Sequence, residues 1–394
     1  MLIHKKIEIE IDAATWRSRS EVPTSFPISG EEFDFDFAAI LVLIGVLTTP
    51  PNSGGASLSE MWAFIRYLYA TSGDNELRLT ADYLDLDPHQ KTILSDDFGM
   101  GLGMYWLANR LRLVAACDGR YFIENFLTQI GGNYHGGVAK RGPGKSPDFV
   151  AIDSQQKFHV IECKGTQSSR NYRNKQLRDS GILQKQTIEL PSQLRGQSLA
   201  IGTFIAGPDG DKSQIRVVDP EPEDPLRIKN SQAVEARNAV GRGMLAKELR
   251  SSGFPSAAAA IAFPGQRKNI FDKDQYVETK EQSETRDSLG HDEVTSISGR
   301  VFQANHEKYV GQTRRILLPN PLKVDSEYFR AVEIRQGINR SRFDAVRTAK
   351  DFREIDLEGS GERERLFKFG SKRRRAWVAL GANYYSDIRF LDPY

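Results

Sequence analysis

The chain has little cysteine, no long apolar run and almost no excess of either charge. Its two cysteines, Cys117 and Cys163, do not form a CxxC pair. Neither a disulfide framework nor a thiolate zinc site is therefore indicated. The most apolar run, residues 37–47, is about half as long as the ~20 residues that a membrane-spanning helix needs. We expect this run to be a buried element of a cytoplasmic protein that does not enter a membrane.

Two glycine-containing stretches resemble phosphate-binding loops but lack the required pattern. Residues 142–146, GPGKS, would need a glycine at Ala139 and a helix after Ser146, whereas Pro147 begins a strand-like run. The second stretch, residues 99–103, has the spacing GxGxG but no strand before it. Here we expect a helix with small residues at a packed interface. The sequence therefore shows no ATP-driven motor of its own.

The chemistry that the sequence does offer is concentrated in one predicted β-hairpin. Two runs rich in β-branched and aromatic residues, 149–152 and 158–163, flank a polar turn. Asp148 begins the first strand and Glu162 ends the second, so antiparallel pairing brings their carboxylates to the same end of the hairpin. Because side chains alternate along a strand, Lys164 shares a face with Glu162. Two carboxylates beside a lysine predict a site for a hard divalent cation such as Mg²⁺.

Pro147-Asp148 and Glu162-Cys163-Lys164 together resemble the two half-motifs of the PD-(D/E)xK nuclease superfamily, the restriction-endonuclease-like phosphodiesterases. The resemblance extends over residues 119–220 and implies an α/β fold in which helices flank a mixed sheet. It also implies that Asp148, Glu162 and the backbone carbonyl of Cys163 bind Mg²⁺, for which Mn²⁺ would substitute. Asp148, Glu162 and Lys164 would then be the catalytic residues.

The same resemblance indicates three further candidate residues outside the hairpin. Relatives often carry an extra metal-binding acid on the preceding helix, and Glu124 is the acid on the helix predicted at 121–130. Glu124 lies away from the centre of the apolar stripe, which favours an ordinary solvated position. Relatives also use a glutamine or lysine on the helix after ExK, so Gln176 and Gln184 are candidate auxiliary residues.

Basic residues cluster after the hairpin and again near the C-terminus. Residues 165–178 contain no acid, and a basic run beside a metal site is suited to holding a polyanion. The run SKRRR at 371–375, followed by Trp377, fits a nucleic-acid contact and a solvated turn equally well. The candidate nucleic-acid-binding residues are Lys145, Arg170, Arg173, Lys175, Arg178, Lys372, Arg373, Arg374 and Arg375.

A chain of 394 residues is too long for one compact core, so two or three domains are expected. The alternating run at 7–11 predicts a strand, and a helix is predicted at 77–86. The expected division is a mostly helical N-terminal region at 1–117, a nuclease core at 118–225, a helical extension at 226–263, a polar linker at 264–296 and a small α/β domain at 297–394.

These observations predict a Mg²⁺-dependent endonuclease that hydrolyses DNA, with defence against foreign DNA as its role by analogy alone. An RNase of the same superfamily would share every catalytic residue, because base and sugar are recognised elsewhere. A noncatalytic nucleic-acid-binding subunit would keep the basic surfaces without the metal. Since one such site attacks one phosphodiester at a time, we expect a homo-oligomer or recruitment by a partner ATPase or helicase.

Overall fold

The structure, a computed structural model, is a mixed α/β protein with a seven-stranded mixed sheet, a six-stranded curled antiparallel sheet, a short parallel pair of strands (β6, Ile188–Glu189, and β9, Leu226–Arg227) and helices. It describes residues 4–49, 67–130, 146–181, 188–189, 191–219, 226–268, 276–296, 300–324, 327–357, 366–372 and 374–393. Lys145, Gln184 and Arg373 lie outside these ranges. Within them, no helix combines the length and the apolar character that crossing a membrane requires.

The α-helices of the described residues are α1 (Phe37–Leu47), α2 (Ala81–Leu84), α3 (Pro88–Arg110), α4 (Gly119–Ile130), α5 (Arg170–Gln176), α6 (Ala233–Ser251), α7 (Pro255–Ala262), α8 (Lys280–Ser296) and α9 (Arg340–Thr348). The strands are β1 (His4–Ile11), β2 (Glu31–Asp36), β3 (Leu113–Asp118), β4 (Phe149–Asp153), β5 (Phe158–Thr166), β6 (Ile188–Glu189), β7 (Arg195–Phe204), β8 (Gln214–Val218), β9 (Leu226–Arg227), β10 (Arg300–Ala304), β11 (Glu307–Val324), β12 (Glu327–Asn339), β13 (Phe367–Lys372), β14 (Arg375–Leu380) and β15 (Tyr384–Pro393).

The mixed sheet has the strand order β2-β1-β8-β7-β5-β4-β3. Strand β1 is parallel to β8 and β5 is parallel to β7, whereas the other neighbours are antiparallel. The predicted strand at 7–11 is confirmed, because Ile7, Ile9 and Ile11 are buried in alternation with less buried residues. The N-terminal region, which was expected to be mostly helical, therefore contributes β1 and β2 to the sheet that holds the predicted hairpin.

Helices α1 and α3 lie between the two sheets. Every residue of α1 is buried, as predicted for the apolar run at 37–47. This helix contacts α3 on one side and β14 and β15 of the curled sheet on the other. A helix that is apolar on all faces needs protein on all faces, and this position supplies it. Helix α3 in turn packs on β5 and β7 of the mixed sheet.

The contact between α3 and β5 is close enough to require glycine on both sides. A Cβ on Gly165 would lie 1.6 Å from the Ser95 carbonyl oxygen, and one on Gly99 would lie 2.8 Å from the Lys164 carbonyl carbon. The prediction of a helix with small residues at a packed interface is therefore confirmed for residues 99–103. This contact fixes α3 against the end of β5 that carries Lys164.

Two predictions of local structure were wrong. Residues 77–86 are not one helix: Arg78 and Leu79 form isolated β-bridges, and only α2 is helical. The buried Leu77 and Leu79 alternate with Arg78, and Thr80 caps α2 by accepting a hydrogen bond from the Tyr83 N–H, so the helix starts late. Helix α8 occupies residues 280–296, which were expected to form part of a polar linker.

Helix α8 forms despite its polar sequence because small residues allow it to approach α7. A Cβ on Gly290 would lie 2.9 Å from the Ala260 Cβ, so the two helices meet through glycine and alanine. Ser283, Gly290 and Val294 are buried along this contact. The hydropathy pattern does not indicate the contact between α7 and α8, because the residues that form it are small rather than strongly apolar.

The curled sheet is antiparallel throughout, with the order β10-β11-β12-β15-β14-β13. One of its faces packs on α1, α6 and α9. Side chains such as Val332, Val378 and Ile388 join the same hydrophobic core as α1 and the mixed sheet. Residues from the predicted C-terminal domain and from the predicted nuclease core thus share one buried layer.

Candidate active site

The hairpin register brings the Asp148 and Glu162 side chains together. Strands β4 and β5 are antiparallel, with Phe149 opposite Ile161. One residue beyond this pair, the Asp148 N–H donates a hydrogen bond to Glu162 Oε2 at 3.1 Å. The Cys163 N–H donates to Asp148 Oδ2 at 2.7 Å. Each carboxylate is thus held by a backbone N–H of the neighbouring strand, at the end of the hairpin where the sequence places them.

Lys164 completes this cluster, because its Nζ forms an ion pair with Glu162 Oε1. The two residues share a face of β5, as the alternation of side chains predicts. The Glu162 side chain is completely buried, whereas that of Lys164 is 18% exposed. The ammonium group therefore lies between a buried carboxylate and the solvent.

The electrostatics of the cluster show an excess of negative charge. Burial and the nearby Asp148 raise the pKa of Glu162 well above its usual range, against the opposing effect of Lys164. Burial also raises the pKa of Asp148. Burial lowers the pKa of Lys164, but the Glu162 and Asp148 carboxylates outweigh it, so the net shift is upward. One ammonium group thus faces two carboxylates in a site that is largely shielded from solvent.

A third acid, Asp96 on α3, faces the same cluster and was missed in the sequence. Partial burial raises the pKa of Asp96 to about 6, although the residue as a whole is exposed. The charge of Lys164 opposes this shift, and the charge of Asp148 adds to it. Asp96 precedes Gly99 by three residues and so lies near the helix face that packs on β5. The glycine spacing of α3 was therefore the sequence signal that could have identified Asp96, because a helix face with several glycines is expected to pack against another element.

Within the described residues, no group of three or more histidine, cysteine, aspartate or glutamate side chains is arranged closely enough to hold a metal ion by itself. Mg²⁺, however, usually takes only one or two carboxylates from a protein and completes its shell with water and substrate oxygens. The pair Asp148 and Glu162 agrees with that pattern. The unbalanced negative charge of the cluster favours a cation.

Glu124 lies elsewhere and is neither solvated nor directed at the cluster. Its side chain is 1% exposed, with Arg120 Nε at 3.3 Å from Oε1 and Arg267 Nη2 at 3.5 Å from Oε2. The interpretation of Glu124 as a solvated residue was therefore wrong. Burial raises the pKa of Glu124, while Arg267 and Arg120 oppose that shift. Two arginines satisfy this carboxylate, so it stabilises the contact of α4 with residues 263–268.

The basic run after the hairpin divides into buried and exposed residues. Arg173 is 1% exposed and donates to Gln214 Oε1 at 2.8 Å, and Glu10 Oε2 lies 3.3 Å from its Nη2. Arg170 donates to the Lys212 carbonyl at 2.8 Å. These two arginines attach α5 to the mixed sheet, so Arg173 is not placed to contact a polyanion. Lys175 and Arg178 are exposed, and Gln176 is partly exposed at the end of α5.

Burial also lowers the pKa of Arg173, to about 10. The buried position of Arg173 depends on residues that are distant in the sequence. Gly202 of β7 has no side chain, and a Cβ there would lie 2.7 Å from Arg173 Cγ. The arginine stem therefore crosses β7 at the glycine and reaches the acids on β1.

The basic run near the C-terminus also divides, at the turn between β13 and β14. Arg374 donates to both carboxylate oxygens of Glu327, at 3.0 and 2.9 Å, on the exposed side of the turn. Arg375 is directed to the opposite side, where its Nε lies 2.6 Å from Asp387 Oδ2. Lys372 is the last residue of β13. Arg374 and Arg375 therefore do not lie in one basic patch.

Comparisons of the chain with protein-family models, curated proteins and solved structures found no match in any of the three. The resemblance to PD-(D/E)xK nucleases thus depends on the motif residues and their arrangement in this chain, and it stays a prediction.

Proposed function

We propose that the protein is a metal-dependent nuclease that hydrolyses DNA phosphodiester bonds, with Asp148, Glu162 and Lys164 as catalytic residues. The observation that carries this proposal is the cluster of the buried Glu162 carboxylate, the partly buried Asp148 carboxylate and Lys164 at the end of the β4-β5 hairpin. We also propose the restriction-endonuclease-like fold for this region. Its support is the antiparallel series β3-β4-β5, followed by α5 and by β7 parallel to β5.

The residues of the cluster fit Mg²⁺. Asp148, Glu162 and the Cys163 carbonyl would hold the ion, and the charge of Asp96 on α3 would favour the ion from outside its ligand shell. Burial is the main cause of the raised pKa values of Asp148 and Glu162, and a bound cation would favour the charged form of both carboxylates. When bound, Mg²⁺ would polarise the phosphate and lower the pKa of an attacking water.

Lys164 acts in this proposal as a charged group rather than as a base. Its pKa is raised, so the ammonium form persists at neutral pH. A fixed positive charge offsets the negative charge that develops on the phosphate during attack. The ion pair with Glu162 holds Nζ at the edge of the cluster, where it would orient the attacking water or a phosphate oxygen.

Defence against foreign DNA remains a proposal by analogy with restriction-endonuclease-like proteins. So does assembly into a homo-oligomer or with a partner ATPase or helicase, which supplies the second cut or the translocation that a single site lacks. No described residue favours RNA over DNA at the cluster, because the proposed chemistry acts on the phosphate alone.

The test compares the wild-type protein with Asp148→Asn, which keeps the shape of the side chain but removes its charge. Labelled duplex DNA, single-stranded DNA and RNA are incubated with each protein in Mg²⁺ and in EDTA. We expect wild-type protein to cleave DNA in Mg²⁺ only, and the variant to be inactive while its thermal unfolding stays cooperative. Cleavage by Asp148→Asn at the wild-type rate would refute the site assignment, and cleavage of RNA alone would replace DNA as the substrate.

A further inference from the structure

The face of the curled sheet that points away from α1 is concave. Val332, Val378 and Ile388 point into the shared core, so the alternating residues of the same strands occupy the opposite face. Phe302 on β10 and Tyr385 on β15 are three strands apart, a distance of about 14 Å in a flat sheet. Their ring centroids nevertheless lie 6.3 Å apart. The sheet therefore curls around these rings, and we call this side the concave face.

Residues directly opposite one another across the strands form rows on the concave face. Arg315 pairs with Glu333, Glu333 with Arg389, and Arg389 with Arg375, so one row crosses β11, β12, β15 and β14. The adjacent row has Thr313, Arg335, Asp387 and Trp377 on the same four strands. Arginines outnumber acids in these rows, so the concave face is positively charged.

Asp387 organises two of the arginines but cannot neutralise them. It is completely buried and accepts from Arg335 Nε at 2.9 Å and from Nη2 at 2.6 Å. The Arg375 Nε lies 2.6 Å from its Oδ2. One carboxylate facing two guanidinium groups leaves a net positive charge at a fixed place. Tyr385, whose hydroxyl accepts from Arg375, adds a further polar contact without adding charge.

Arg389 is held in this row by two long ion pairs. Its charged neighbours, Glu333 and Asp387, each lie 3.6 Å from the guanidinium, which is longer than a hydrogen bond. The side chain is 34% exposed. Although its Nε is buried, the partly exposed side chain can be reached by an anion from solution.

Aromatic rings lie beside these arginines. Trp377 stacks on Tyr385 with ring centroids 6.0 Å apart and planes 20° apart. Phe302 stacks in a similar way on Tyr309 at 5.8 Å. The indole of Trp377 lies over Gly370 of β13, where a Cβ would be 2.8 Å from Nε1. Glycine thus lets the ring lie along the sheet, and Trp377 and Phe302 both remain partly exposed.

We propose that the concave face binds a segment of single-stranded nucleic acid, with Arg375 and Arg389 contacting phosphates and Trp377 stacking on a base. A positively charged groove with aromatic platforms is suited to this ligand, because every base offers a π face and every nucleotide a phosphate. In a duplex the base faces are already stacked on each other, so the aromatic rings favour a single strand. The inference rests on the proposed function, since it supplies the strand on which the nuclease would act.

The test measures binding in EDTA, where no cleavage is expected, by the fluorescence anisotropy of a labelled mixed-sequence oligonucleotide. Single-stranded DNA, RNA of the same sequence and duplex DNA are titrated with wild type, Trp377→Ala, Arg389→Ala and Arg353→Ala. Arg353 is a matched control, because it is an exposed arginine outside the concave face. We expect Trp377→Ala to weaken single-strand binding on the order of tenfold. Arg389→Ala should reduce the slope of log affinity against log salt by about one, and Arg353→Ala should change neither quantity.

Two further variants separate a lost contact from a lost fold. Trp377→Phe keeps a stacking ring and Arg389→Lys keeps a charge, so both should recover most of the affinity. Unchanged affinity in both alanine variants would overturn the proposal and favour a protein ligand for this face. Equal losses for duplex and single strands in Trp377→Ala would overturn it as well. If single-strand binding depends on Trp377 while no nucleic acid is cleaved in Mg²⁺, the binding face stands and the proposed nuclease function fails.

Discussion

The Glu248 carboxyl group should make this protein less stable as the pH rises, which is the opposite of the effect of most carboxyl groups. Glu248 lies on α6 and is 1% exposed, and its Oε1 has no hydrogen-bond partner among the described residues. Burial raises the pKa of Glu248 from 4.5 to about 8, against the opposing charge of Arg342. The folded protein therefore keeps a proton on this group that the unfolded chain releases.

The sign of the effect follows from this difference in bound protons. Below pH 4.5 both states are protonated, and the group contributes no difference. As the pH rises from 4.5 to about 8, the contribution of Glu248 to the free energy of unfolding falls by about 1.4 kcal/mol for each pH unit. Over the whole interval the loss reaches about 5 kcal/mol, which is a large fraction of the stability of a typical domain.

Glu248→Gln removes the ionisable group with little change of shape. We expect the variant to match the wild type near pH 4.5 and to be more stable by several kcal/mol at pH 8, on the order of the difference above. Urea unfolding followed by circular dichroism at several pH values measures this directly. Glu284→Gln is the control, because the Glu284 side chain is 67% exposed. Parallel pH profiles for wild type and Glu248→Gln would refute the reasoning.

Two further predictions concern the proposed active site. Lys164→Ala should slow single-turnover cleavage by about 100-fold or more while leaving the Kd for DNA nearly unchanged, because the fixed charge acts on the transition state; equal losses in both would make Lys164 a phosphate anchor only. Asp96→Asn should raise the Mg²⁺ concentration needed for half-maximal cleavage, and for the Mg²⁺-dependent rise in Tm, on the order of tenfold. The exposed Asp82 on α2 supplies the control substitution Asp82→Asn, and an identical Mg²⁺ dependence for Asp96→Asn and wild type would show that the charge of Asp96 does not act on the ion.

The hairpin and its cluster could be predicted because their geometry is local. A short polar turn between two strand-like runs sets the register, and the register alone brings Asp148 beside Glu162. Alternation along β5 then places Lys164 on the same face as Glu162. These inferences need no knowledge of the rest of the chain.

The remainder of the site depends on contacts between distant segments, which no local pattern records. Asp96 reaches the cluster only because Gly99 and Gly165 allow α3 to lie directly on β5. Arg173 is buried because it pairs with Glu10 on β1 and because Gly202 leaves space for its side chain. The basic run at 165–178, which the sequence predicts to be exposed, is therefore partly buried.

The position of α1 between the two sheets has a consequence for the order of events during synthesis. Ile9 of β1 pairs with Ile215 of β8, so the mixed sheet stays incomplete until β8 has left the ribosome. Helix α1 stays uncovered longer, because β14 and β15, which cover one side of it, are made after β8. Long-range pairing of this kind forms slowly and leaves apolar surface open in the meantime. A chain cut short before β14 would expose α1 and become a substrate for chaperones and proteases. During synthesis, the β4-β5 hairpin is therefore made long before α1 can be covered.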